Sequence, residues 1–442
     1  MRTPPGPKGG FFSAAAKALR RDQLGFYEAC AREYGDVVGL RAGPYRIRLI
    51  YHPDAIEEML VTRARDFVKT PGVRRSLRPL LGEGLLLSEG DVWLRQRRLA
   101  QPAFHRQRVA GYGAVMTDFA ERHVAGWPDG AVVELHGEMM AVTQAIVGKT
   151  LFDADVSGDA HEAAGAAKVL AEDFGARIAR FTLPLWVPTP ANLKARRAIR
   201  RLDAIVDRII AERRAGGEDR GDLLSMLVAA QDADDGTRMT PRQLRDEVMT
   251  LFLAGHETTA VTLSWAWYLL AQHAEATARL EEELAQVLGG RSPAVADLPR
   301  LTYTAGVVSE SLRLFPPAYA LGRQALVASE LGGLPVARGE IVLAPAWVIH
   351  RDRRWFDKPN EFLPERWDGD LAKRLPRFAY FPFGGGPRQC IGSAFALMEA
   401  ALILAAVAQR VRLALEPGQR ITPTPYVTLR PEPGLQMRVT RR

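Results

Sequence analysis

Residues 240–272 constrain the fold more than any other stretch. Thr240 is a good helix N-cap, Pro241 suits the first helical position, and Gln243 completes a capping box. The helical pattern then runs to about Gln272, roughly 30 residues or about 45 Å. A helix of that length, apolar on most sides, crosses the middle of a large domain. Any fold for this chain is therefore built around it. Gly255 lies inside the pattern, at up to about 1 kcal/mol against alanine. His256, Glu257, Thr258 and Thr259 follow it. A polar run beside a glycine in a buried helix is a local conflict, and such conflicts mark function. A zinc-protease helix needs a second histidine three residues after the glutamate. Position 260 is alanine, which excludes that reading.

The second feature is Phe383-Gly384-Gly385-Gly386-Pro387-Arg388-Gln389-Cys390-Ile391-Gly392. Glycines let the backbone turn tightly and approach a flat ligand closely. Their amides, and the start of the apolar helical run that follows, can stabilise a thiolate. The plain alternative is a buried free cysteine in a loop, the usual fate of a free cysteine. The whole spacing Phe-x-x-Gly-x-Arg-x-Cys-x-Gly is much rarer. It resembles the haem-binding loop of the cytochrome P450 family, in which the cysteine thiolate is the proximal iron ligand.

Other segments agree with that resemblance, in the family's order. Trp93 and Arg97 lie four apart on one helical face, where the family contacts a haem propionate. Ala254-Gly255-x-Glu257-Thr258-Thr259 is similar to the family's oxygen-binding segment, in which glycine lets the helix open or bend. Glu310-x-x-Arg313, with Arg366 from Pro364-Glu365-Arg366-Trp367, is similar to a buried structural triad. Tryptophan stands here for the family's usual phenylalanine, a change expected to leave the ion pair unaffected. Arg323 follows Pro316-Pro317, where the family places another propionate-binding arginine. The resemblance implies haem b held on Cys390 as its metal ligand. The implied cofactor-binding residues are Trp93, Arg97, Ala254, Arg323, Phe383, Gly384, Arg388, Ile391 and Gly392. Glu257 and Thr258 are the implied catalytic pair, supporting proton delivery, while Glu310, Arg313 and Arg366 are structural. The implied fold is mainly α: one cytochrome P450 monooxygenase domain over residues 1–442, a large helical bundle around haem with a small β-rich lobe near the N-terminus.

Local patterns fill in the elements. Residues 23–34 have helical spacing. Residues 37–40 and 46–51 read as strands around a Gly43-Pro44 turn. Pro53 opens a helix to about Val61. Residues 67–89 contain Pro71, Gly72, Pro79, Gly82 and Gly84 and read as a long, lid-like loop. Helices are expected over 91–104, 109–125, 135–151, 161–178, 193–215, 274–288 and 303–314. A second lid-like loop spans Phe181 to Pro190. Strands are expected over 319–327 and 340–349, with a terminal hairpin over 421–429.

The 442 residues are 47% hydrophobic and 25% charged, ordinary for a globular protein. The formal net charge is +8, mostly from scattered arginine. It suits an acidic partner rather than nucleic acid, for which no signature is present. Two cysteines, Cys30 and Cys390, cannot hold an iron–sulfur cluster on four thiolates, and they fit a reducing compartment. Neither a signal peptide nor a membrane anchor is read, so the expectation is a cytoplasmic monomer of the soluble bacterial type. No dinucleotide-binding fingerprint is present. Electrons are then expected from an external ferredoxin or flavodoxin with an NAD(P)H-dependent reductase. The expected activity inserts one atom of dioxygen into a lipophilic substrate: a terpenoid, fatty acid, steroid or polyketide. The alternatives are a peroxide-driven peroxygenase and a non-catalytic haem-binding sensor.

Overall fold

The computed structural model describes residues 4–7, 14–42, 45–154, 160–179, 183–216, 222–229, 236, 238–369 and 371–442. The Gly43-Pro44 turn and Phe181 lie outside them. The chain forms two compact units, each assembled from two stretches. One comprises Met1–Arg74 and Ser309–Cys390, the other Arg75–Val308 and Ile391–Arg442.

The first unit is the β-rich one. Its five-stranded sheet has the order Val37–Ala42, Tyr45–Ile50, Ile341–Ala344, Leu321–Ala325, Phe67–Val68. The first two strands form a hairpin with Val38 opposite Leu49. The second runs parallel to the third, Ile47 opposite Ile341. The helix Gln23–Tyr34 starts where Asp22 accepts from the Gly25 amide at 2.9 Å and stops at Gly35, whose φ is 83°. It buries Phe26, Tyr27 and Cys30 against Val38, Ile50 and Val342. Burial pushes the Cys30 thiol up to about 11, so this cysteine packs rather than reacts. Arg48, inside the sheet, donates to Glu340 at 2.9 Å and to the Leu334 and Pro335 carbonyls, which completes its hydrogen bonding.

The second unit is organised on the helix Pro241–Gln272, 32 residues long. The Thr240 hydroxyl accepts from the Gln243 amide at 3.2 Å, and Gln243 accepts from the Thr240 amide at 2.9 Å. Several helices pack on this one, among them Leu135–Phe152, Pro190–Gly216 and Ser393–Arg410. Leu135–Phe152 donates from the Thr143 hydroxyl to the His256 carbonyl at 3.1 Å. Ser393–Arg410 is long and apolar enough to cross a membrane, yet most of it from Phe395 to Ala408 is buried in the protein core. Antiparallel strands Val132–Glu134, Gln436–Arg441 and Val411–Leu415 form a small sheet, and Thr422–Pro425 pairs with Leu429–Glu432.

Two local expectations are corrected. Residues 67–89 are not one loop, because Pro71–Leu81 is helical. Pro71 stands in the first turn, where proline loses no helical hydrogen bond; Pro79 lies within the helix and forgoes one, a cost offset by the burial of Leu77, Leu80 and Leu81. In 340–349 the strand stops at Ala344, and after Pro345 the chain makes the short helix Ala346–Ile349. The helix from Pro53 runs as expected to about Val61, as α-helix to Glu57 and then as a π-turn over Glu58–Thr62.

Candidate active site

The cysteine loop belongs to the first unit. Gly384 and Gly386 have φ of 68° and 66°, a region that glycine enters without strain. A Cβ on Gly386 would stand 1.9 Å from the Leu60 carbonyl oxygen, and one on Gly385 would stand 2.3 Å from the Phe378 ring. Backbone is thus pressed directly on backbone, which no side chain would permit. The Cys390 amide donates to the Phe383 carbonyl at 3.0 Å and closes the loop. Cys390 is exposed and not in a disulfide, whereas Cys30 is 3% exposed. A cysteine presented at the surface of a braced glycine cradle is not a packing residue. It is suited to ligate a metal in a flat group, so the residues present fit haem. Arg388 is half-buried, and Arg323, 8% exposed, donates to the Gly322 carbonyl at 2.9 Å.

A buried network supports this loop from within the same unit. Glu310 and Arg313, both on Thr302–Leu314, have side chains that are 0% exposed. The Glu310 carboxylate accepts from Arg313 at 2.7 and 2.8 Å, from Arg366 at 2.9 Å and from the Leu363 amide at 3.1 Å. It also accepts from the Trp367 indole at 2.9 Å. Tryptophan is therefore not a neutral replacement for phenylalanine here: it supplies a donor. Arg313 also donates to the carbonyls of His350, Pro359 and Glu361 at 2.9, 2.6 and 3.0 Å. His350 accepts from the Phe381 amide at 3.0 Å, and the Gly384 amide donates to the Phe381 carbonyl at 2.9 Å. Burial, reinforced by the Arg313 and Arg351 cations, holds His350 down to about 3, so its ring is neutral and acts as an acceptor. Hydrogen bonds thus lead from the triad to the first glycine of the loop.

The acid and the alcohol lie in the second unit. Ala254 is exposed in the middle of an otherwise buried helix. The helix is unbroken there, contrary to the expected opening. Gly255 serves a close pass instead, since a Cβ would meet Val147 Cγ2 at 3.0 Å. The Thr258 hydroxyl donates to the Ala254 carbonyl at 2.9 Å. With that proton committed to the helix, the Thr258 oxygen is left as an acceptor.

The Glu257 Oε1 atom accepts from the Thr428 hydroxyl at 2.7 Å and from Arg430 Nη2 and Nε at 2.7 and 3.2 Å. Burial alone would raise this carboxyl. The Arg430 guanidinium and the Thr428 hydroxyl outweigh it and hold Glu257 below the usual carboxylate range. His256, 1% exposed, is kept neutral mainly by burial and directs Nδ1 at the Phe252 carbonyl, 2.6 Å away. Trp93 and Arg97 are half-buried on Gly90–Ala100, and Gly392 lies beside Phe104.

Sequence reasoning missed Arg430 and Glu399 near this segment. Arg430 and Thr428 come from the C-terminal hairpin, over 170 residues from Glu257. Glu399, on Ser393–Arg410, is 0% exposed, and among the described residues neither carboxylate oxygen has a hydrogen-bond partner of good geometry. Burial pushes it up to about 8, so it is protonated at neutral pH. Its only sequence signal is one acid inside an alanine- and leucine-rich run. Among the described residues no group of three His, Cys, Asp or Glu could hold a metal ion.

An exposed cysteine on a glycine cradle, with an acid and an alcohol side by side in a long buried helix, has the features of a haem-thiolate oxygenase. The chain belongs to the cytochrome P450 family, whose model matches residues 4–439. It is 40% identical to cyclooctatin synthase of Streptomyces melanosporofaciens, over 96% of this chain and 92% of that protein. It is 39% identical to cyclooctat-9-en-7-ol 5-monooxygenase of the same organism, over 91% of this chain and 87% of that protein. Pentalenene oxygenase of Streptomyces avermitilis is 34% identical, over 92% of this chain and 91% of that protein. The protein is a haem-dependent P450 monooxygenase, which uses dioxygen, an organic substrate and a redox partner.

Proposed function

We propose that this monooxygenase oxidises a terpenoid and that Cys390 is the thiolate ligand of its haem iron. The exposure of Cys390 on its braced loop carries the second part. The named activities of the Streptomyces relatives support the first. Bound haem supplies the oxygen chemistry, and a thiolate ligand favours O–O cleavage. The remaining roles belong to the chain's own side chains.

In the first unit Arg323 and Arg388 are the propionate cations, Phe383 and Gly384 line the cofactor, and Glu310, Arg313 and Arg366 hold the loop in place. In the second unit Trp93 and Arg97 take a propionate, and Ala254, Ile391 and Gly392 contact the ring. Thr258 accepts a hydrogen bond from water while Ala254 holds its own proton. Glu257, ionised under Arg430, relays protons to that water. The whole chain works as one monooxygenase domain, a cytoplasmic monomer. Its electron donor is an acidic ferredoxin or flavodoxin served by an NAD(P)H-dependent reductase. A cleft of about 600 Å³ lined by Arg98, Gln101, Pro102, His105, Gln107 and Arg108 carries cations and no acid, which suits such a partner.

The test is spectroscopic. The reduced, carbon monoxide-bound protein should show the red-shifted thiolate Soret band, and Cys390→Ala should lack it. Terpene hydrocarbons and alcohols should shift the spin state at lower concentration than fatty acids or steroids. A wild-type spectrum without the thiolate band would end the ligand assignment, and a preference for fatty acids would end the terpenoid one.

A further inference from the structure

Three buried oxygens in the second unit have no hydrogen-bond partner among the described residues. They are Glu247 Oε1, Gln96 Oε1 and Thr250 Oγ1, on residues 0%, 1% and 4% exposed. Buried polar atoms are nearly always bonded, to protein or to something bound within it. All three belong to side chains gathered on one short stretch. The Leu85 amide donates to the other Glu247 oxygen at 3.1 Å. Gln96 donates its amide N–H to the Glu83 carbonyl at 3.0 Å. A Cβ on Gly84 would stand 2.1 Å from Thr250 Oγ1. Glu247 and Thr250 share a face of Pro241–Gln272, and Gln96 comes from Gly90–Ala100.

Charge is unbalanced here. Asp246, 4% exposed, accepts from Arg245 at 2.9 Å and from the Glu83 amide at 3.0 Å. The same guanidinium donates to Asp203, on Pro190–Gly216, at 2.9 Å. Arg78 is paired with Glu83. Asp203, Asp246 and Glu247 thus face one guanidinium, and Glu247 has no cation partner among the described residues. Burial, with Asp246 beside it, pushes the Glu247 carboxyl up to about 8.

We propose that Glu247 Oε1, Gln96 Oε1 and Thr250 Oγ1 are protein ligands of one alkali-metal cation, potassium or sodium. Carboxylate, amide and hydroxyl oxygens are the donors that hard cations take, whereas a transition metal prefers nitrogen or sulfur. A single carboxylate ligand matches a single charge. A water molecule could meet the same three oxygens, but it would leave the excess of acids over bases untouched. The ion fastens Gly90–Ala100 and the stretch Glu83–Leu85 to the central helix. Glycine permits that close approach, since a Cβ on Gly82 would stand 1.9 Å from Asp246 Oδ2. The site does not depend on the substrate assignment.

Thermal unfolding of the holoenzyme in potassium, sodium and choline chloride at equal ionic strength tests this, because choline is too large to enter. A site half-filled at about 1 mM makes the unfolding constant about a hundredfold smaller at about 100 mM of the ion. The midpoint should rise saturably with potassium or sodium and stay flat with choline, and the salt that acts at lower concentration names the ion. Glu247→Gln and Thr250→Val should each lose the response with the haem spectrum intact. Glu282→Gln, at an exposed acid elsewhere, should keep it. Crystals soaked in rubidium chloride should show an anomalous scatterer between the three oxygens. Three results would overturn the proposal: equal midpoints in the three salts, a response that survives Glu247→Gln, or a light atom and no rubidium at the site, which marks an ordered water only.

Discussion

Replacing Arg430 by methionine gives the sharpest test of how Glu257 is held. Methionine keeps the apolar stem and removes the charge. The Arg430 and Glu257 side chains are 7% and 13% exposed, so the carboxylate would remain buried with the Thr428 hydroxyl as its one hydrogen-bond donor among the described residues. Removing one member of a buried pair costs ~3–5 kcal/mol when the other stays charged. The carboxyl can escape by taking a proton, and each unit of upward shift is worth about 1.36 kcal/mol. The sign with pH follows. In the wild type, Glu257 lies below its ordinary 4.5. Its contribution to stability is present above 4.5 and is lost as pH falls through the lower folded value. In the variant the folded value rises above 4.5, so folding takes up a proton. Stability then falls as pH rises from 4.5 through the new value. The gap between the proteins should be about 1 kcal/mol at pH 5 and ~3 kcal/mol at pH 8. Thermal unfolding followed by circular dichroism at the two pH values reads this directly. Glu257→Gln/Arg430→Met should abolish the widening. A gap independent of pH would refute the account of Glu257 as an ionised group held by Arg430.

Two further outcomes concern the first unit. Gly386→Ala places a methyl group 1.9 Å from the Leu60 oxygen at a φ of 66°, so it should yield protein that retains helical circular dichroism but incorporates little haem, measured by the absorbance ratio of Soret to protein. Trp367→Phe restores the family's usual residue yet removes a donor to buried Glu310, and should lower stability by ~1.5–3 kcal/mol in urea unfolding, whereas Trp355→Phe, whose indole nitrogen has no hydrogen-bond partner among the described residues, should cost less.

The helix 241–272 was legible to the residue because its signals are local: a capping box at its start and an unbroken apolar pattern behind it. The helix Gln23–Tyr34 was readable for the same reason, bounded by Asp22 and Gly35. The cysteine loop and the Glu310–Arg313 pair were visible as spacings. The helix Pro71–Leu81 was hidden because its prolines and glycine read as breakers, while its stability comes from burying Leu77, Leu80 and Leu81. The partners of Glu257 were illegible because nothing local to the acid records an arginine 173 positions away. At Trp367 the ion pair is intact as expected, but the motif position showed the size of the side chain and not the hydrogen bond it adds. Gly255 was expected to open the helix and instead admits Val147, a difference set by a neighbouring helix.

The sheet of the first unit also has a consequence in time. Ile47 lies opposite Ile341 in the parallel pair, and 294 residues separate them (341 − 47). At about 5–20 residues per second, the ribosome takes about 15–60 s to deliver the second strand after the first. Throughout that interval the strand Tyr45–Ile50 has one open edge, and Leu49 and Ile50, fully buried in the finished protein, have no complete core to enter. An open apolar edge is a template for pairing with another chain. The nascent protein therefore carries its greatest aggregation hazard at its N-terminal end. That hazard closes only when synthesis has passed residue 344 and is within fifty residues of the cysteine (390 − 344 = 46).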